Sequence, residues 1–257
     1  MTTGELPAEV RDAVVRVAQT ARLLVAMDFD GTMSPLVSRA EDARPLPAAA
    51  AALEALSALE GTTAALVSGR ALASLRAVAS PPAQALLVGS HGAEVWLGPD
   101  SPALSLTPAQ EQALTRARQA VDLAVAAFPG TAAEQKPAGV VLHYRRASAQ
   151  DGQSAVAQVR AGLADSPGVF VSEGKMVLEI SVVKANKGES LAMLRATTGA
   201  TAVVFVGDDV TDEHGFAALE PGDLGIKVGP GETAAAYRID SPAQVPAVLE
   251  LLVAARS

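Results

Sequence analysis

Four short stretches of the chain carry side chains that could do chemistry. Asp28-Phe29-Asp30-Gly31-Thr32 and Asp208-Asp209…Asp212-Glu213 are acidic clusters, while Ser68-Gly69-Arg70 and Lys187-Gly188 offer a hydroxyl and two cations. Both acidic clusters follow apolar runs, the first directly after Leu23 to Met27 and the second one glycine after Val203 to Val206. Asp28 and Asp30 lie two residues apart, so in extended chain their carboxylates face the same side and repel. A lone Asp/Gly string reads as a surface turn. Two such clusters, each ending a buried strand, read differently. Carboxylates converging from two strands at one sheet edge need a cation to stay ionised, and a few hard oxygen donors suit Mg²⁺.

The elements that must position these groups follow from hydrophobic patterning. Ala64 to Val67 runs into Ser68, Leu86-Leu87-Val88 into Gly89-Ser90-His91-Gly92, and Val203 to Val206 into Gly207-Asp208. Short continuous apolar runs are strands buried on both faces, as in a parallel sheet. Helical spacing lies between them: Leu53, Leu56 and Leu59 in Pro47 to Leu59, then Leu72, Leu75 and Val78 in Ala71 to Ala79. Strand and helix in alternation predict a doubly wound α/β core with its ligand site at the carboxyl ends of the strands.

The middle of the chain departs from that order. Thr107-Pro108-Ala109-Gln110 is a capping box that opens a helix to about Phe128. Strands follow at Thr131 to Lys136 and Val140 to Arg145, then a helix over Ser148 to Leu163. Two more strands complete the segment, Val169 to Ser172 and Lys175 to Ser181, joined by Glu173-Gly174. Helix–strand–strand twice over predicts a small α+β domain, residues 105–184, inserted into a core of residues 1–104 and 185–257. Period two places Val141, His143 and Arg145 on one face of this sheet, opposite Val140, Leu142 and Tyr144. Lys175, Val177, Glu179 and Ser181 share a face opposite Met176, Leu178 and Ile180, and Glu134 and Lys136 share one too. Such a polar face is either solvated or the lining of a pocket for a hydroxylated ligand. Near the C-terminus, Ser241-Pro242-Ala243-Gln244 reads as a second capping box, with Pro246 in the first turns of the helix it opens.

Composition excludes several classes. The 257 residues are 49% hydrophobic and 19% charged, a globular composition. A net charge of −8 argues against a nucleic-acid or anionic-membrane binder, and 3% aromatics leave no platform for stacked bases. Zero Cys excludes thiol chemistry and Cys-ligated zinc, and fits a cytoplasmic address. Glu5, Glu9 and Asp12 near the start predict no signal peptide, and no apolar run approaches the ~18 residues of a membrane span.

Taken in chain order, Asp28-Phe29-Asp30-Gly31-Thr32, Ser68-Gly69-Arg70, Lys187-Gly188 and Gly207-Asp208-Asp209, each after the expected element, resemble the motifs of the haloacid-dehalogenase (HAD) phosphatase superfamily. Gly89-Ser90-His91-Gly92, His143-Tyr144-Arg145, Val177-Leu178-Glu179-Ile180 and Gly207-Asp208-Asp209-Val210-Thr211-Asp212-Glu213 further resemble the trehalose-6-phosphate phosphatase family. The resemblance spans about Leu23 to Val253. It implies a Rossmann-like HAD core with a parallel sheet and an inserted α+β cap of the αββαββ, C2 type, which is where the insertion falls.

The resemblance also implies roles. Asp28 would be the nucleophile that takes the phosphoryl group. Asp30 would protonate the leaving sugar oxygen and then activate water. Mg²⁺ would be held by the carboxylate of Asp28, the carbonyl of Asp30 and Asp208, with Asp209 and Asp212 in or near the layer of groups behind these metal ligands. Gly31, Thr32, Ser68, Gly69 and Lys187 would hold phosphate oxygens. Arg70, His91 and Gly92 would border the substrate, and Glu134, Lys136, His143, Arg145, Lys175 and Glu179 would read the hydroxyls of trehalose 6-phosphate. Other readings stay open: a phosphatase for a sucrose or glycosyl-phosphoglycerate ester, a phosphomutase, or a silent sugar-phosphate sensor.

Overall fold

The computed structural model describes residues 5–174 and 176–257. In chain order the elements are α1 (Ala8–Val17), β1 (Leu23–Met27), α2 (Pro47–Ala58), β2 (Thr62–Val67), α3 (Leu72–Ala79), β3 (Leu86–Gly89) and β4 (Glu94–Trp96). Next come α4 (Pro108–Ala127), β5 (Ala132–Lys136), β6 (Gly139–His143), α5 (Ala149–Leu163), β7 (Phe170–Gly174) and β8 (Val177–Ser181). The chain closes with α6 (Lys187–Thr198), β9 (Ala202–Gly207), α7 (Glu213–Ala217), β10 (Leu224–Val228), β11 (Tyr237–Ile239) and α8 (Val245–Arg256). It divides into two compact units, Met1–Pro102 with Ala185–Ser257, and Ala103–Lys184.

The first unit is an α/β sheet of order β11-β10-β9-β1-β2-β3-β4, parallel except where β3 meets β4. Every residue of β1 is buried. Leu23, Val25 and Met27 enter a core shared with Val10 of α1, Leu53 and Leu56 of α2 and Leu249 of α8. Leu24 and Ala26 enter the opposite core, with Leu191 and Leu194 of α6 and Phe216 of α7. An apolar residue at every position is therefore what period two requires of a strand covered on both sides. From β1 the chain runs outward to β2 and β3 on one side, and later through β9 to β10 and β11 on the other. The reversal between β1 and β9 makes a crevice at their carboxyl ends, where such sheets bind ligands.

The second unit is an antiparallel sheet of order β5-β6-β8-β7 backed by α4 and α5. Val140, Leu142, Leu178 and Ile180 pack on Ala117 and Val121 of α4 and Val159 of α5. The expected capping box opens α4: Thr107 N–H donates to Gln110 Oε1 at 2.9 Å, and Gln110 N–H to Thr107 Oγ1 at 3.3 Å.

Three local expectations change. The hairpin between β7 and β8 turns beyond Glu173-Gly174, because Met176 takes a left-handed φ of +66° and leaves the strand pattern. β6 ends at His143, so Arg145 lies in an exposed turn and has no strand face. Ser241 makes no side-chain cap. Residues Pro242–Gln244 instead form a 3₁₀ turn, and Gln244 Oε1 accepts from Asp240 N–H at 2.7 Å. α8 then starts at Val245, so Pro246 falls in its first turn, where a missing N–H costs nothing.

Candidate active site

Asp28 directly follows β1, its N–H donating to the Val206 carbonyl at 2.9 Å and so extending the β1–β9 pairing. Asp208 occupies the matching place after β9. Lys187 is the first residue of α6, whose N-cap Asn186 accepts Glu189 N–H at 2.9 Å. A lysine at the positive end of a helix is electrostatically misplaced unless anions face it. Two do. Lys187 Nζ donates to Asp28 Oδ1 and to Asp212 Oδ1, both at 2.6 Å, with all three side chains more than nine-tenths buried.

Asp212 is brought there by a tight turn. Asp212 N–H donates to the Asp209 carbonyl at 3.2 Å, and Asp209 N–H to Asp212 Oδ2 at 2.8 Å. Carboxylate oxygens of Asp28, Asp208 and Asp212 lie within 4.8 Å of one another. The approach of Asp208 to the first loop depends on Gly31, where a Cβ would fall 2.3 Å from the Asp208 carboxyl carbon and φ is +84°.

Three carboxylates against one ammonium leave the cluster two charges short. Burial pushes Asp28 well above the ordinary carboxylate range. Lys187 opposes that shift, and the nearby Asp212 and Asp208 add to it. Burial alone would lower Lys187, but Asp28 and Asp212 outweigh it and hold the ammonium above its usual value. All-oxygen, carboxylate-rich donors with a deficit of two positive charges fit a hard divalent cation such as Mg²⁺.

The other carboxylate of the first motif has its own cation. Arg70 grips Asp30 with a fork, Nε to Oδ2 and Nη2 to Oδ1, both at 2.6 Å, while its guanidinium lies 5.5 Å from the Phe29 ring centroid. Ser68 is buried at the end of β2, its Oγ accepting Arg70 N–H at 3.2 Å. The His91 ring packs on Gly69 so closely that a Cβ there would lie 2.4 Å from it. Ser90 and His91 both have left-handed φ, +49° and +55°, a strained conformation for side-chain-bearing residues. Gly92 follows at φ +119°. The Thr32 hydroxyl is buried with no hydrogen-bond partner among the described residues.

In the second unit, register places Glu134, Lys136, Val141, His143 and Glu179 on the sheet face away from α4 and α5. Lys136 Nζ meets Glu179 Oε1 at 2.5 Å, and His143 Nε2 meets Glu134 Oε2 at 2.8 Å. The hydrogen bond from His143 holds Glu134 below its ordinary range. Lys175 lies outside the described residues.

A family model described as trehalose-phosphatase matches residues 26–243. The chain belongs to the trehalose-phosphatase family. Among its relatives, a trehalose-phosphate phosphatase of Mycobacterium marinum is 34% identical over 241 residues, covering 87% of this chain and 60% of that protein. The chain thus spans about three fifths of the length of such a relative. The C-terminal domain of trehalose-6-phosphate phosphatase from C. albicans has the same fold, with a TM-score of 0.80 at 23% identity over 98% of this chain and 99% of that one. A HAD subclass IIB sugar phosphatase matches with a TM-score of 0.58 at 13% identity, over 88% of this chain and 96% of that one. The α/β unit of this trehalose-phosphatase family member is thus a HAD fold.

One residue of the family member's site region, Lys227, lies outside the motifs. Lys227 is buried near the end of β10, and Glu213 begins α7 against it, Nζ to Oε1 at 3.0 Å. The only hint in the sequence is a charge inside the apolar run Leu224 to Val228. No helix among the described residues is long and apolar enough to cross a membrane.

Proposed function

We propose that the chain is a phosphatase that hydrolyses trehalose 6-phosphate to trehalose and phosphate through an aspartyl-phosphate on Asp28. The observation that carries this reading is the buried Asp28–Lys187–Asp212 cluster beside Asp208, at the carboxyl ends of β1 and β9.

Asp28 would attack phosphorus, forming an O–P bond as the bond to the sugar oxygen breaks and its electron pair leaves with that oxygen. Asp30 would give that oxygen a proton, then take one from the water that cleaves the acyl phosphate. Lys187 pins Asp28 in one rotamer and places a positive charge where the phosphoryl oxygens gather negative charge. The start of α6, Ser68 Oγ, the Thr32 hydroxyl and the backbone of Gly69 would complete the cradle, whereas the Gly31 N–H expected there is already given to the Ser34 carbonyl at 2.7 Å. Mg²⁺, held by Asp28, Asp208 and Asp212 with Asp209 and the Asp30 carbonyl at hand, would neutralise nucleophile and phosphate together. At ~4 Å and an effective dielectric of about 20, each unit-charge pair is worth roughly 4 kcal/mol, so an uncompensated dianion would be turned away.

The second unit would serve as the substrate-reading domain. Vicinal hydroxyls suit carboxylates and cationic donors such as Glu134, Lys136, His143 and Glu179. A site built for hydroxyls rejects esters that lack them. Arg70, His91 and Gly92 would border the phosphate end. The chain would work as a soluble cytoplasmic enzyme without nucleic-acid or membrane partners.

Phosphate release from trehalose, sucrose, glucose and mannose phosphates, with Mg²⁺ and with EDTA, tests the reading. Release that is fastest from trehalose 6-phosphate and stops on chelation is expected. A protein that releases phosphate from none of them overturns it.

A further inference from the structure

Lys227 is a lysine in a strand otherwise made of Leu, Gly, Ile and Val, and it is 4% exposed. A buried ammonium needs partners. Its Nζ donates to Glu213 Oε1 at 3.0 Å and to the Asp209 carbonyl at 3.3 Å. The other oxygen of Glu213 accepts Ala234 N–H at 2.8 Å and Thr233 Oγ1–H at 3.2 Å. One ion pair therefore joins the end of β10, the start of α7 and the segment that precedes β11.

The Asp209 carbonyl gives this pair its meaning. It is also the acceptor for Asp212 N–H, so it closes the turn that carries Asp212 to Lys187 and Asp28. Asp208 is one residue before it. Replacing a buried ion pair by neutral groups is often neutral for stability, so stability alone gives no reason for a lysine here. Geometry does.

We propose that Lys227 is a positioning residue for the cation site: with Glu213 it clamps the Asp209 carbonyl and so sets the spacing at which Asp208 and Asp212 face Asp28. The inference rests on reading Asp28, Asp208 and Asp212 as that site. It makes Lys227 a determinant of metal affinity without contact to metal or phosphate.

The test uses the full chain and Mn²⁺, followed by the electron paramagnetic resonance signal of the free ion. Wild type is expected to bind one Mn²⁺, and Asp208→Asn to lose it. Lys227→Met should raise the Mn²⁺ dissociation constant by about 10–100-fold. Because that variant strands the Glu213 charge, Lys227→Met/Glu213→Gln is measured beside it. The double variant should melt close to wild type yet keep the weakened affinity, and its kcat should recover at saturating metal while the activation constant stays raised. Wild-type affinity in the folded double variant would overturn the positioning role. A wild type that binds no Mn²⁺ would overturn the cation site itself, a separate failure.

Discussion

The two units hold charged clusters of opposite character. In the α/β unit, Lys187, Asp28 and Asp212 are sealed at 2%, 7% and 0% side-chain exposure. On the antiparallel sheet, His143 and Glu134 are 42% and 50% exposed, with Lys136 and Glu179 between these extremes. A sealed cluster is poorly screened and cannot move without breaking several short hydrogen bonds, so it fixes one geometry. A half-exposed pair is screened by water and exchanges partners at little cost. The first arrangement suits bond making, the second recognition.

The largest effects should come from breaking the sealed cluster. Asp28→Asn is expected to abolish turnover and the trapping of a ³²P-labelled phosphoenzyme while leaving the circular dichroism spectrum unchanged. Turnover at the normal rate in that variant would remove Asp28 as nucleophile. Lys187→Met strands two buried carboxylates and should cost about 3–5 kcal/mol in urea unfolding. Because Lys187 is held above its usual value of 10.5, its stabilisation is in full force below that pH and is lost only as the folded group titrates in strong alkali.

Metal should act on the same unit with a smaller effect. Mg²⁺ at about a hundred times its dissociation constant is expected to stabilise the fold by about 2.7 kcal/mol, reversed by EDTA and read by thermal melting. No shift in melting temperature would separate the acidic cluster from any divalent ion.

The sheet face should respond selectively. Glu179→Ala loses a charged hydrogen-bonding group, and turnover of trehalose 6-phosphate should fall roughly 10–150-fold while p-nitrophenyl phosphate is barely affected. Equal losses on the two esters would make Glu179 structural. The smallest effect belongs to Glu134. Its pKa lies below the ordinary 4.5, so its stabilisation is present above that pH and lost as pH falls through the folded value. With both partners about half exposed, screening leaves about 0–1 kcal/mol, and Glu134→Gln should only flatten the acid limb of the stability curve.

Much of the fold was legible in the sequence because parallel strands covered on both faces must be apolar at every position. Leu23 to Met27 and Val203 to Val206 announce themselves, and the polar cluster after each marks the carboxyl end of its strand. The capping box at Thr107 is equally legible, since both of its partners lie within four residues. At Ser241 the same pattern misleads. Gln244 is drawn instead to Asp240 N–H and to the Glu5 carbonyl, a partner distant in sequence. Met176 fails for a related reason: its left-handed φ, imposed by the hairpin, overrides a strand-like alternation.

Residue types and local spacing by themselves determined which groups could take part in chemistry and which segments had to be strands, because backbone geometry and burial act over a few residues. Tertiary structure alone decided the pairings: Lys187 goes to Asp28 and Asp212, Arg70 to Asp30, and Lys227 to Glu213. Electrostatic partners are chosen by distance in space and by shared desolvation, and neither quantity exists until the chain has folded around them.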